Sequence, residues 1–214
     1  YSDFNYTLGA NVENLTLTQY GGVAHGTVIG IGNALNNVIT GNDNNNILSG
    51  GAGNDTYIIN NTNDYVQEIA ESGAGGTKDK IVLTTDFNGT SSGNYTMQVN
   101  VEQLDASATL NGVVIVGNNS NNSITGGAGS DFLDGRLGID TMAGGKGNDS
   151  YMVESAADVI TEAANAGNDS AYIFAVAAYT LSANVENGYL QSGSNNLTGN
   201  TSANKLVGNG NANS

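Results

Sequence analysis

The chain has 214 residues, with 20 Asp and Glu against 5 Lys and Arg, a formal net charge of -15. Such a surface has no cationic field to neutralise phosphates, which argues against nucleic acid and against anionic membranes as partners. There is no Cys, so disulfide and thiolate chemistry are closed to it, and no apolar run is long enough to span a bilayer directly.

Glycine contributes 31 residues and proline none, a composition that on its own suggests disorder. Periodicity overrides it. The stretch Tyr6 to Leu17, YTLGANVENLTL, returns as YTMQVNVEQL from Tyr95 and as YTLSANVEN from Tyr179. Tyr, Leu and Val are its inward candidates, and Asn-Val-Glu turns the chain. Glu13, Glu102 and Glu186 recur at one position of it, as a surface turn contact or as a metal ligand. These recurrences divide the chain into a first module (1–94), a second (95–178) and a truncated third (179–214), expected to form one continuous solenoid.

Within the first module, Val23, Val28 and Ile31 are strand candidates, and His25, without Cys or a second His, reads as an incidental loop or edge residue. Residues 32–58 then hold three nine-residue units, GNALNNVIT, GNDNNNILS and GGAGNDTYI. The eighth residue of each, Ile39, Leu48 and Tyr57, is predicted to point inward. The sixth is Asn37, Asn46 and Asp55. Asp43, in a third position, is a weak candidate ligand. A freer unit follows, with Asp64 in the sixth slot and Val66 in the eighth. Residues 72–80 read as a small-residue loop carrying Lys78 and Lys80, Ile81 to Leu83 as a strand, and Asp86 to Asn94 as a polar excursion.

The second module carries an apolar strand at 113–116 and nonapeptide units over 117–161. The first, GNNSNNSIT, has Asn122 in the sixth slot. GGAGSDFLD, GRLGIDTMA and GGKGNDSYM follow without a gap, with Asp131, Asp140 and Asp149 sixth and Leu133, Met142 and Tyr151 eighth. Asp158 keeps the register, and Asp169 precedes a strand holding Ile173, Phe174 and Val176, as Asp79 precedes Ile81. In the third module Leu197 and Leu206 are the inward candidates, and Asn204 is sixth. The repeat stops short of its apolar residue at 213–214, which leads us to expect a longer parent array or contact with neighbouring copies.

A period of nine suits a short turn followed by a short strand, each unit making half a coil of a flattened parallel solenoid. The glycines are expected to provide tight turns with positive φ. Units two apart then lie on one edge, which places Asp131 with Asp149 on one side and Asp140 with Asp158 on the other. Asp55 and Asp64 face Asn37 and Asn46. Carboxylates joined by the turn carbonyls of Gly127, Gly129, Gly145 and Gly147 make an oxygen cage suited to calcium. The competing view is that Asp and Asn serve only as turn formers. Where Asn replaces Asp, amide stacking and Asn-to-backbone bonds are expected to hold the turn with less metal.

The units of 126–152 resemble the calcium-binding nonapeptide repeat of the RTX (haemolysin-type) family, and the longer YTLGANVENL-like motif with its D-V-I-x-E segment resembles tandem arrays of large secreted bacterial RTX proteins. That resemblance implies an all-β parallel β-roll or β-helix folded by calcium outside the cell, since chains of the family leave the calcium-poor cytoplasm unfolded. It implies a structural role in a surface layer, matrix, adhesin or filament. The alternative is an accessory or carbohydrate-binding module of a larger secreted protein, with glycans as partners. An enzyme is disfavoured: the basic residues Lys78, Lys80, Arg136, Lys146 and Lys205 are scattered, and acids repeating in register fit metal better than an acid–base pair. Sequons at Asn5, Asn14, Asn94, Asn148 and Asn196 accompany the Asn-rich composition.

Overall fold

The computed structural model describes residues 4–19, 26–69, 78–87, 93–194 and 196–213. Val23, His25 and parts of the two expected loops, 72–77 and 88–92, lie outside that set. Within it the protein is all β, with no helix.

Short strands alternate between two faces of a flattened parallel solenoid. One face carries β1 (Tyr6–Thr7), β3 (Val28–Ile31), β5 (Asn46–Ser49) and β7 (Tyr65–Val66), then β9 (Gly93–Thr96), β11 (Val113–Val116), β13 (Phe132–Asp134), β15 (Ser150–Val153), β17 (Ser170–Ile173), β19 (Asn187–Leu190) and β21 (Lys205–Val207). The other carries β2 (Asn14–Thr16), β4 (Val38–Thr40), β6 (Thr56–Ile59), β8 (Lys80–Leu83), β10 (Gln103–Asp105), β12 (Ser123–Thr125), β14 (Thr141–Ala143) and β16 (Val159–Thr161), then β18 (Ala178–Thr180) and β20 (Asn196–Thr198). Each strand pairs in parallel with the strand two places away, never with its sequence neighbour. Parallel pairing needs a crossover, and here the opposite face supplies it.

Register turns the nonapeptide pattern into a core. Ile39, Tyr57, Ile81, Leu104, Ile124, Met142 and Ile160 stack in one column along β4 to β16. Leu133 and Tyr151 stack likewise on the other face. All nine of these side chains are buried. The two columns share one interior: a methyl group added at Gly30 on β3 would touch Leu15 and Ile39 of the opposite face. Each buried large side chain contributes about 1.5–3 kcal/mol of transfer free energy, and each is reinforced only by the coils above and below.

Several expectations are corrected. Lys80 belongs to β8, not to a loop, and pairs with Asp105 at 2.8 Å. The polar excursion ends at β9, and its Phe87 is buried edge-on against Tyr95 with ring centroids 6.2 Å apart. Leu206 is 44% exposed, because no coil lies over β21 among the described residues, whereas Leu197 packs against the core. Positive φ explains fewer glycines than expected. Gly145 and Gly147 adopt φ of 101° and 113°, but Gly127 and Gly129 do not have positive φ. The left-handed corners of the long motif are instead Asn11, Asn100 and Asn184, at 63°, 64° and 62°, in keeping with the tolerance of Asn for that region.

Candidate metal centre

The sixth residue of each nonapeptide ends a turn and begins a strand, so its side chain folds back along the edge of the solenoid. In the Asn-type units the side-chain amides bond to other protein groups. Asn122 Oδ1 accepts the N–H of Asn118 at 2.9 Å, and its Nδ2 donates to the carbonyl of Val101 one coil earlier, at 3.1 Å. Asn118 Nδ2 donates to the carbonyls of Gln98 and Val101, both at 2.7 Å. Asn200 and Asn204 repeat the arrangement on Ser182 and Val185, and Asn33 and Asn37 on Gly9 and Val12. The amide N–H groups thus supply the positive partner that the preceding coil's carbonyls need. The expected Asn-to-backbone bonds are present.

In the Asp-type units the sixth residue offers no such donor. Each carboxylate instead accepts the backbone N–H of the sixth residue one coil earlier: Asp149 from Asp131 at 2.7 Å, Asp140 from Asn122 at 2.7 Å, and Asp158 from Asp140 at 3.1 Å. Asp55 accepts from Asn37 at 2.6 Å and Asp64 from Asn46 at 2.9 Å, the facing pairs expected from spacing. Asp131 caps the ladder on its edge, taking the N–H of Val113 at 2.8 Å and that of Gly127 at 2.6 Å. Asp158 Oδ2 likewise takes the N–H of Glu154 and Ser155. Asp140 and Asp149 differ: each keeps one oxygen that is buried and has no hydrogen-bond partner among the described residues.

The turn glycines exist for close approach. A methyl at Gly126, Gly135 or Gly144 would lie 2.2–2.3 Å from Oδ2 of Asp131, Asp140 or Asp149, the sixth residue of the same unit. One at Gly145 or Gly147 would lie 2.3 Å from the carbonyl oxygen of Gly127 or Gly129 in the turn beneath. The first-position glycines thus make room for the carboxylates, and the later glycines for the carbonyls of the turn beneath.

Burial makes this arrangement costly when charged. It raises Asp140 and Asp149 to about 7 and Asp64 to about 6, and Asp131 rises for the same reason. Neighbouring carboxylates add to the shift of Asp149, among them Asp131, Glu162 and Asp169. Buried carboxylate oxygens without donors call for a proton or a cation. The donor set is all hard oxygen, without thiolate or imidazole, which suits calcium rather than zinc.

Two tighter groups went unread in the sequence. Asp55, Glu68 and Asp79 each bring a carboxylate oxygen within 4.8 Å of the other two, and so do Asp149, Glu162 and Asp169. Asp79 and Asp169 were recognised as corresponding positions before their strands, but Glu68 and Glu162 were not seen as their companions. The signal available was the spacing from Asp55 to Glu68, repeated from Asp149 to Glu162. Burial raises Glu68 to about 8, with the Asp79 and Asp55 charges adding, and raises Glu162 to about 7.

No curated protein and no solved structure matches the chain. A family model does: the RTX calcium-binding nonapeptide repeat matches in four copies, over residues 31–66 and 114–142. Those residues carry both the Asn-type and the Asp-type turns described above; the matched repeat is a calcium-binding one, and the oxygen-only acidic clusters suit the same cation. The chain thus carries calcium-binding nonapeptide repeats of the RTX type at residues 31–66 and 114–142, set in a parallel β-solenoid.

Proposed function

We propose that the chain is an extracellular structural repeat region of a bacterial surface, matrix, adhesin or filament protein, folded by calcium held on the edges of the solenoid. The ligands are Asp131 and Asp149 on one edge and Asp140 and Asp158 on the other, with carbonyls of Gly127, Gly129, Gly145 and Gly147. Asp55 and Asp64 serve the first module. One observation carries the reading: where Asn122 or Asn204 holds the sixth slot its amide satisfies the coil beneath, and where Asp holds it, buried oxygens of Asp140 and Asp149 are left open. The calcium-free chain bears the carboxylate repulsion, so binding and folding are coupled. The experiment is calorimetry and circular dichroism with and without millimolar calcium. A cooperative gain of β structure is expected, and an unchanged spectrum and melting temperature would sink the proposal.

A second reading, contact with glycans, draws on one outward feature. Tyr172 and Tyr189 stack at 5.0 Å on neighbouring strands, with the Lys205 ammonium 5.6 Å from the centre of the Tyr189 ring. Such an aromatic pair suits a sugar face. Perturbation of tyrosine fluorescence by oligosaccharides, absent in Y172A/Y189A, tests it.

A further inference from the structure

The nonapeptide run of the second module ends at Thr161, yet the stack of turns on its edge continues. In register, Met142 lies beside Ile160 and Ala143 beside Thr161, so Glu162 takes the place above Gly144 that a first-position glycine holds elsewhere. The first module does the same: Leu48 lies beside Val66, which puts Glu68 above Gly50. In both, a glutamate enters the column where the turns are otherwise bare backbone.

The same surroundings meet that glutamate each time. A methyl at Gly50 would strike Asp55 Oδ2 and the Tyr57 hydroxyl, and one at Gly144 would strike Asp149 Oδ2 and the Tyr151 hydroxyl. The Tyr151 hydroxyl donates to Glu162. The Asn of the next long motif grips the backbone of the glutamate: Asn100 Nδ2 donates to the carbonyl of Glu68 at 3.4 Å, and Asn184 Nδ2 to that of Glu162 at 2.9 Å. The Glu of that motif accepts the N–H of the third acid, Glu102 from Asp79 at 3.0 Å and Glu186 from Asp169 at 2.8 Å. Asn-Val-Glu is therefore a bracket around an acidic triad, and it occurs twice, on opposite edges of the solenoid.

The triad is aimed at something. Asp149 Oδ2, Glu162 Oε2 and Asp169 Oδ2 are all buried without a hydrogen-bond partner among the described residues, on side chains only 1%, 8% and 1% exposed. The ion pair Lys80–Asp105 involves none of them. One carboxylate oxygen from each of the three residues lies within 4.8 Å of the other two, which matches the span of ligands on one calcium ion, whose bonds of 2.3–2.6 Å place opposite oxygens about 5 Å apart. We infer that Asp149–Glu162–Asp169 and Asp55–Glu68–Asp79 are two calcium sites of a second kind, closed by a glutamate side chain where the nonapeptide turns use glycine carbonyls. Each sits at the junction where the short repeats give way to a longer coil. This extends the calcium reading above and rests on it.

The test counts ions. Equilibrium dialysis against calcium is expected to show two fewer bound ions per chain in E68Q/E162Q than in the unmutated protein, with the calcium-induced β signal retained. Terbium excited through tyrosine is expected to emit several-fold less in that variant and in Y57F/Y151F, which keeps every carboxylate and so serves even if the glutamine variant fails to fold. An unchanged ion count in folded E68Q/E162Q, or unchanged terbium emission in Y57F/Y151F, overturns the triad sites. Loss of ions in D131N/D140N alone also overturns them while leaving the aspartate–glycine turns standing. No calcium uptake by the unmutated chain overturns both.

Discussion

Asp149 accepts the backbone N–H of Asp131 at 2.7 Å across exactly one coil of 18 residues, so a carboxylate of one turn is fixed to the backbone of the turn beneath. Its second oxygen stays open and buried. One oxygen therefore sets the register of the stack and the other is free to meet an ion, which separates the structural from the metal-binding contribution of a single residue.

Asp149→Asn is expected to separate those contributions experimentally. The amide oxygen still accepts the Asp131 N–H, and removal of a buried charge flanked by Asp131, Glu162 and Asp169 relieves repulsion. Without calcium the variant should be as stable as the unmutated chain or more so, by up to about 1–3 kcal/mol. In saturating calcium it should be the less stable of the two. Urea melts in the two conditions check this, and a loss of stability in both would contradict it.

The reverse exchange, Asn122→Asp, removes the amide that donates to Val101 and sets a carboxylate against that carbonyl. The calcium-free protein should lose about 1–3 kcal/mol, the usual cost of an unsatisfied buried group. Denaturant titration measures the loss. A variant as stable as the parent in chelator would show that the amide bond contributes nothing.

The calcium-free protein should weaken as pH rises. In the folded state Glu68 is raised to about 8, Asp140, Asp149 and Glu162 to about 7, and Asp64 to about 6, all chiefly by burial. Unfolded carboxyls titrate near 4. Between these values the folded chain holds more protons than the unfolded one, so stability from these groups is fully present below about pH 4 and is lost as pH climbs toward 8. Asp105 runs the other way, because hydrogen bonds from Lys80 and Ser107 outweigh the upward push of burial and leave it lowered. Calcium competes with those protons, so its affinity should rise over the same interval. Melting temperatures in calcium-depleted buffer at pH 5 and pH 8 decide the point: a higher value at pH 8 would be the wrong sign.

Two glycines should respond differently to alanine. At Gly144 the new methyl would lie 2.2 Å from Asp149 Oδ2 and 2.3 Å from the Tyr151 hydroxyl. Both are buried, and the substitution should cost about 1–3 kcal/mol and reduce calcium binding. At Gly30 the nearest atom is a Leu15 methyl at 3.1 Å, on a side chain that can adjust. Gly30→Ala should therefore stay within about 1 kcal/mol of the parent. Equal losses at both sites, measured by chemical denaturation, would remove the distinction.

Spacing alone was enough to place Leu133, Met142 and Tyr151 inward, because a period of nine admits one buried residue per short strand. It also placed Asp55 opposite Asn37 and Asp64 opposite Asn46, since same-edge neighbours lie 18 residues apart wherever the units are uninterrupted. What spacing missed lies where that number changes. The Asp55–Asp79 and Asp149–Asp169 steps are 24 and 20 residues, so the acids that meet there are not in a common register of the sequence. Glu68 and Glu162 look like surface residues of a polar segment until the coil brings them over Gly50 and Gly144. Phe87 was hidden for a similar reason: a lone aromatic among polar residues has no period to announce that it packs on Tyr95.

The interruptions of the two faces do not coincide. Among the described residues the pairing on one face breaks between β7 and β9, where β6, β8 and β10 run on unbroken opposite. On the other it breaks between β16 and β18, where β15, β17 and β19 run on. The described stack is therefore jointed like overlapping courses of masonry. A pull along its axis meets a continuous hydrogen-bonded sheet at every seam, so extension has to rupture backbone pairing instead of parting the chain at a weak cross-section.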